Sequence, residues 1–351
     1  MLRSILFLLI IISIVNGAAN NTYADCLKVA AKFATTISNG PVANITATTG
    51  TTIKCSQLTG VSCPGSIING VCTWQRKLCV TCINGSTVRI RIQTNGLPAR
   101  CAAMPSTVSF TESNIDFAVN FNPNVNVNSP YQSASTATTL KNIVCNISRQ
   151  STVPSGSAYS GYSSSRTLQA LAGVAIDGIA ILNVNSANQV DPFYPSGGYT
   201  AEGVDTCLSH PNKDNLYHYH ISSGCIVSPP SGNITLCRSS TSCGSSIANY
   251  SIQSYPSSAK TLTVIGIAKD GHVIYGPYTS SGSRVTSGFD ICNGMFYDTI
   301  GNYGYFATST YPYITGCFGP GNYPSVGPSC TTNGVSSYTM SSYAITLSKA
   351  G

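Results

Sequence analysis

Charged residues are scarce in this sequence. They fill 8% of its 351 positions, 18 Lys and Arg against 11 Asp and Glu, where an ordinary soluble domain carries about 25%. The positive charges are scattered, and without a basic run no nucleic-acid surface is indicated. So few acids leave little material for the paired carboxylates of a glycosidase. There is no Gly-x-Ser-x-Gly elbow, no His-Glu-x-x-His helix and no EF-hand loop, so the common hydrolase, zinc-protease and calcium signatures are missing. No segment beyond the N-terminus is apolar for the about 20 residues a membrane span needs. The C-terminus lacks the hydrophobic tail of a GPI signal. No long helical stripe occurs after residue 40.

What is present points to a compartment. The apolar fraction, 42%, suffices for a core and excludes a disordered chain. Ser, Thr, Asn, Gly and Tyr take the surface positions that Lys and Glu usually hold. Residues 1–17 read as a secretory signal: Arg3 supplies the positive start, Ile5 to Val15 is apolar except for Ser13, and Gly17, Ala18 and Ala19 follow. The formal charge of +7 becomes +6 when Arg3 is removed with it. No membrane span is expected after cleavage. Fifteen cysteines in an oxidising compartment should mostly pair, and the odd count leaves one thiol free or bridged to another chain. Sequons stand at Asn20, Asn44, Asn84, Asn146, Asn233 and Asn249. The expectation is a secreted, extracellular, disulfide-bonded glycoprotein.

The chain divides by texture. From Ala24 to Ser38, Cys26, Val29, Ala30, Phe33 and Ile37 form one helical stripe, ended by Asn39-Gly40-Pro41. Residues 18–87 are cysteine-dense and read as a small stapled module bearing that helix. Cys79-x-x-Cys82 has the gap of a zinc knuckle, but with no second pair at fixed spacing and no nearby histidine a disulfide framework is the better reading. Residues 88–351 read as a β domain of short strands and many turns, beginning with the alternating Val88-Arg-Ile-Arg-Ile-Gln93. Ser151 to Ser165 reads as a loop. Pro229 to Lys260 reads as an insertion in which Cys237 and Cys243 could close a local loop.

Two stretches of the β domain match in order and type. Asp177-Gly178, Asp205-x-Cys207, Tyr217-x-Tyr219 and Gly224-Cys225 recur as Asp270-Gly271, Asp290-x-Cys292, Tyr303-x-Tyr305 and Gly316-Cys317. Asp-Gly between apolar strands predicts type I′ hairpins. The fold class expected is mainly β, built from two degenerate hairpin-containing units packed about a pseudo-twofold axis.

Three of the four histidines lie between 210 and 220. Alternate residues of a strand share a face, so Tyr217, Tyr219 and Ile221 face the core, and His218 and His220 stand together on the other side, about 7 Å apart at Cβ. His210, in the loop leading in, is placed to fold back as a third metal ligand. Asp205 is a candidate fourth ligand or supporting partner, and His272 joins if the two copies pack together. Imidazole ligands suit zinc or copper. In the second copy Gly304 and Phe306 take the two histidine slots, so that copy cannot bind alike.

These residues carry a resemblance. Tyr217-His-Tyr-His220, with His210-x-Pro before it and Ile265-Gly-Ile-Ala-Lys-Asp-Gly-His-Val-Ile-Tyr-Gly276 after it, resembles the YHYH domain family. Ala172-Gly-Val-Ala-Ile-Asp-Gly178, Asp290-Ile-Cys-Asn-Gly294 and Pro312-Tyr-Ile-Thr-Gly-Cys317 extend it. Thr94-Asn-Gly-Leu-Pro98 and Asn122-Pro-Asn124 look like its entry segment, so that it covers about 88–320. Two departures stand out. The entry segment in this family usually ends in a histidine, where Arg100-Cys101 follows Pro98-Ala99 here, and an aromatic usually holds the position of His272. The resemblance implies a secreted or surface domain and supplies no reaction.

Three functions fit this set. One is a secreted metal-binding domain holding zinc or copper through His210, His218 and His220. Another is a binding module for extracellular glycan or matrix, with structural histidines. The third is a metal-dependent hydrolase using Asp177, Asp205 or Asp270 as base. Whether the chain is an enzyme is left open by the sequence.

Overall fold

The computed structural model describes residues 20–35, 78–98, 113–129, 134–146, 171–230 and 234–349, together with the backbone of four two-residue strands between 61 and 76. The expected signal segment, the Ser/Gly/Tyr loop and Cys55, Cys63, Cys72 and Cys101 lie outside the described residues.

Helix α1 (Tyr23–Ala30) starts at a capping box in which Thr22 and Asp25 satisfy each other's backbone. It is shorter than the stripe predicts. Ala31 caps it, Phe33 turns back into the core, and the Ala34 amide donates to the Ile176 carbonyl at 2.8 Å. The sheet takes the chain before the apolar stripe runs out. A Cys26–Cys82 disulfide fastens α1 to strand β1 (Leu78–Ile83). This strand pairs antiparallel with β2 (Arg89–Thr94), and β2 with β3 (Ile115–Asn120). The expected module boundary at 87/88 falls in the turn between β1 and β2, so this sheet draws strands from both sides of it.

The larger sheet contains β4 (Leu171–Ala175), β5 (Ala180–Leu182), β6 (Ser209–Pro211), β7 (Tyr217–Tyr219), β8 (Val264–Ala268), β9 (Val273–Tyr275), β10 (Gly294–Phe296) and β11 (Tyr303–Phe306). Its order is β6-β7-β5-β4-β8-β9-β11-β10. The order reads as one four-strand unit met by its own copy. At the junction β4 and β8 run antiparallel, with Val174 opposite Ile267, Gly266 opposite Ala175 and Ala268 opposite Gly173. That register maps onto itself when the two copies are exchanged, as a twofold axis requires. Strands β5 and β7 pair parallel, as do β9 and β11.

The duplication extends to side chains. Tyr219 donates to Asp177 at 2.8 Å and Tyr305 to Asp270 at 2.7 Å. Tyr217 donates to Asp205, and Tyr303 to Asp290. Asp205 Oδ1 accepts from the amides of Cys207 and Ser209, and Asp290 Oδ1 from those of Cys292 and Gly294. Disulfides Cys207–Cys225 and Cys292–Cys317 close the same loop in each copy.

The Asp-Gly turns differ from expectation. Only the glycines have positive φ, 87° at Gly178 and 97° at Gly271. Each amide bonds back three residues, to Ala175 and Ala268, and the strand then closes through Ile179 and His272 carbonyls. This is a type I turn with a glycine bulge, not type I′, because the aspartate stays right-handed and aims its carboxylate at the amide two residues on and at a tyrosine. The small sheet packs on both turns: Thr94 donates to the Gly178 carbonyl at 2.7 Å and the Asn122 amide to the Gly271 carbonyl at 2.8 Å. Among the described residues no helix is long and apolar enough to cross a membrane.

Candidate metal centre

His218 in β7 and His220 just after it point to the side opposite Tyr217, Tyr219 and Ile221, which are fully buried in the core. The sequence places His210 in a leading loop. In the structure it is the middle residue of β6, directly across the ladder from His218, so cross-strand register, not a loop's freedom, brings the third imidazole in. The Nε2 atoms of His210 and His218 are 3.0 Å apart, and those of His218 and His220 likewise. All three rings are buried.

The far side of each ring is fixed by the backbone. His210 Nδ1 donates to the Gly203 carbonyl at 3.0 Å, His218 Nδ1 to that of Leu216 at 2.9 Å and His220 Nδ1 to that of Asn183 at 2.7 Å. A carbonyl only accepts, so every Nδ1 carries the proton, and a neutral ring then has a bare Nε2. Burial holds all three rings neutral. It lowers His210, lowers His218 well below the ordinary imidazole value with the neighbouring rings adding to the effect, and brings His220 down to about 3. Three lone pairs therefore face one point with no proton to share.

A fourth group points at the same place. Glu202 Oε2 lies 3.4 Å from His210 Nε2 and 3.6 Å from His220 Nε2, is itself buried, and has no hydrogen-bond partner. Burial first, and then the charge of Asp191, raise its carboxyl to about 7. Sequence reasoning missed it, although it is one of only two glutamates in the chain and lies eight residues before His210. A cleft of about 750 Å³ opens over these four residues, with Lys213, Asp214 and Arg238 among its walls.

The second copy shows what the same strands do without histidine. Met295 opposes Gly304 where His210 opposes His218. A Cβ on Gly304 would come within 2.8 Å of the Tyr275 ring. Tyr275, Tyr297 and Phe306 fill the space with tilted and edge-on rings.

The histidine strand, its core-facing tyrosines and the preceding His-x-Pro are the features that a family comparison can test. Residues 150–289 match the family model described as YHYH protein. No curated protein and no solved structure matches the chain. The YHYH match contains Glu202 and the three clustered histidines and ends before the Asp290 loop of the second copy.

Two of the candidate ligands lie elsewhere. Asp205 is occupied by two amides and the Tyr217 hydroxyl, on the core side of β7. His272 is buried between Asp270 (Nδ1 to Oδ2, 3.1 Å) and the Pro123 carbonyl (Nε2, 3.2 Å), beside Tyr303 and Tyr305. Copies that meet at β4 and β8 place their outer strands at opposite ends of the sheet, which is why His272 does not join the cluster. At Asp270 burial alone would raise the carboxyl, but the attraction of His272 and hydrogen bonds from His272 and Tyr305 outweigh it and hold it low. Asp177, the remaining candidate base, accepts from Tyr219 and the Ile179 amide. None of the three aspartates belongs to the described metal-ligating group, which is His210, His218 and His220; Glu202 stands beside that group, close to two of its three nitrogens.

Proposed function

We propose that this is a secreted, disulfide-stapled protein whose YHYH segment binds a transition metal, zinc or copper, through Nε2 of His210, His218 and His220. The observation that carries the reading is the orientation of the three rings, each donating Nδ1–H to a main-chain carbonyl and turning a bare Nε2 to one point. Outer contacts of this kind fix the tautomer of metal-binding histidines and raise their basicity. Imidazole nitrogen suits zinc and copper better than calcium or magnesium.

Five disulfides among the described residues support an oxidising compartment. Of the described sequons, Asn20, Asn84 and Asn249 are exposed and accessible to glycosylation. We expect the mature chain to begin near Ala18 or Ala19.

The test is metal analysis of untagged protein, wild type against His218→Ala/His220→Ala. Stoichiometric metal in the wild type and none in the variant supports the reading. A wild type that stays metal-free after incubation with zinc and copper overturns it, and the histidines are then structural in a module that binds extracellular glycan or matrix.

A further inference from the structure

Resting on that metal-binding reading, we infer that Glu202 is the fourth protein ligand, so that the centre is a closed tetrahedral site for a divalent cation such as zinc and not a hydrolytic one. The argument is geometric. Ligand atoms 2.0–2.1 Å from a tetrahedral zinc stand about 3.3–3.4 Å from one another. Glu202 Oε2 is 3.4 and 3.6 Å from two of the imidazole nitrogens, and the nitrogens are 3.0 Å apart in the two adjacent pairs. Those four separations are close in size to the edges of such a tetrahedron. A carboxylate acting on a metal-bound water would stand farther off, one water's width beyond the ligand shell.

The surroundings of Oε2 agree. It is buried and has no hydrogen-bond partner, and the bare Nε2 atoms of His210 and His220 stand 3.4 and 3.6 Å from it. Four acceptors turned toward each other are reconciled by a cation at their centre. The backbone is built to hold this group with the histidines: the Glu202 amide donates to the Pro192 carbonyl at 2.7 Å, and the next carbonyl, Gly203, is the one that orients His210. One short segment, Glu202-Gly203, thus positions both a ligand and the ring beside it.

A closed site gives all four tetrahedral positions to the protein, whereas a catalytic zinc keeps one for water or substrate. The test uses full-length protein. Zinc affinity is measured by competition with a chromophoric chelator for wild type, Glu202→Gln and His218→Ala/His220→Ala. The cobalt(II)-substituted forms of wild type and Glu202→Ala are titrated with azide and followed by visible absorption. We expect Glu202→Gln, which keeps the side chain's shape, to bind zinc at least tenfold more weakly while retaining one equivalent. Azide should shift the spectrum of Glu202→Ala and leave the wild type unchanged. A Glu202→Gln affinity within twofold of wild type overturns the inference, as does a wild-type azide response equal to the variant's, and either result leaves the three-histidine site standing. A wild type that takes up no metal overturns the underlying reading and this inference with it.

Discussion

His210 sits directly across the β6–β7 ladder from His218, and their Nε2 atoms are 3.0 Å apart. Ladder register holds this pair. His210→Ala should therefore remove one ligand without disturbing the other two. We expect zinc affinity to fall by about a hundredfold, the upper part of the 10–100-fold range seen even for outer-sphere partners, with the thermal midpoint of the metal-free protein little changed. Isothermal titration and a melting curve check the two halves.

The buried rings also set a pH dependence. His220 titrates near 3 in the fold against an ordinary 6.5. Between those values the unfolded chain binds more protons than the folded one. Stability is therefore complete above about pH 6.5 and falls as the pH drops through the window, by about 1.4 kcal/mol per pH unit for this residue. His210 and His218, lowered by the same burial, steepen the slope. Denaturant melts of metal-free protein from pH 7 to pH 4 should show it, and replacing the three histidines with Ala should flatten it. An equal slope in that variant would refute the assignment.

The Cys237–Cys243 disulfide closes a short loop whose Cys237 amide donates to the Val204 carbonyl at 2.9 Å, beside Gly203 and Glu202. Cys237→Ser/Cys243→Ser should loosen the segment that orients His210. We expect zinc affinity about tenfold weaker and a global loss of about 2 kcal/mol, at the low end for a disulfide because the loop is short.

Matched positions should respond alike. Tyr219→Phe and Tyr305→Phe each strip a buried hydroxyl from an aspartate. The cost should be about 1.5–3 kcal/mol in both, the range for hydrogen bonds to charged groups. Chemical denaturation of the two variants compares them, and a cost confined to one copy would argue against equivalent roles.

Gly304→Ala should destabilise by about 1–3 kcal/mol through overpacking on Tyr275. Tyr275→Leu, which installs the residue found at the matching Leu182, should recover part of that loss in the double variant. Additive losses would show that the contact does not set the cost.

Much of this was legible in the residues. The two-residue period of a strand puts His218 and His220 on one side whatever the fold. Repeated Asp-Gly, Asp-x-Cys and Tyr-x-Tyr exposed the duplication, because the aspartates, cysteines and tyrosines bond to one another and are kept as sets. Glu202 was not legible. It stands 16 residues before His218 in an irregular segment, where no periodicity says which way a side chain turns. His272 misled for a related reason: its neighbourhood depends on which edge of each unit meets the other, and local pattern does not encode that. The turn type failed because Asp-Gly serves both a type I′ turn and a type I turn with a bulge, and the choice rests on where the aspartate carboxylate finds its donors.

The β4–β8 junction, finally, has a consequence for how such a chain comes apart. Each unit of four strands ends there in a strand, Leu171–Ala175 or Val264–Ala268, that is apolar and almost wholly buried. Severed from its twin, either unit would present that strand as a bare edge, with unpaired amides and carbonyls along an apolar surface that invites another chain. A half-length fragment should therefore associate with itself through the same edge, replacing an internal symmetry with one between molecules. The centre strands are where independence of the two halves ends, even though the chemistry sits at one far end of the sheet.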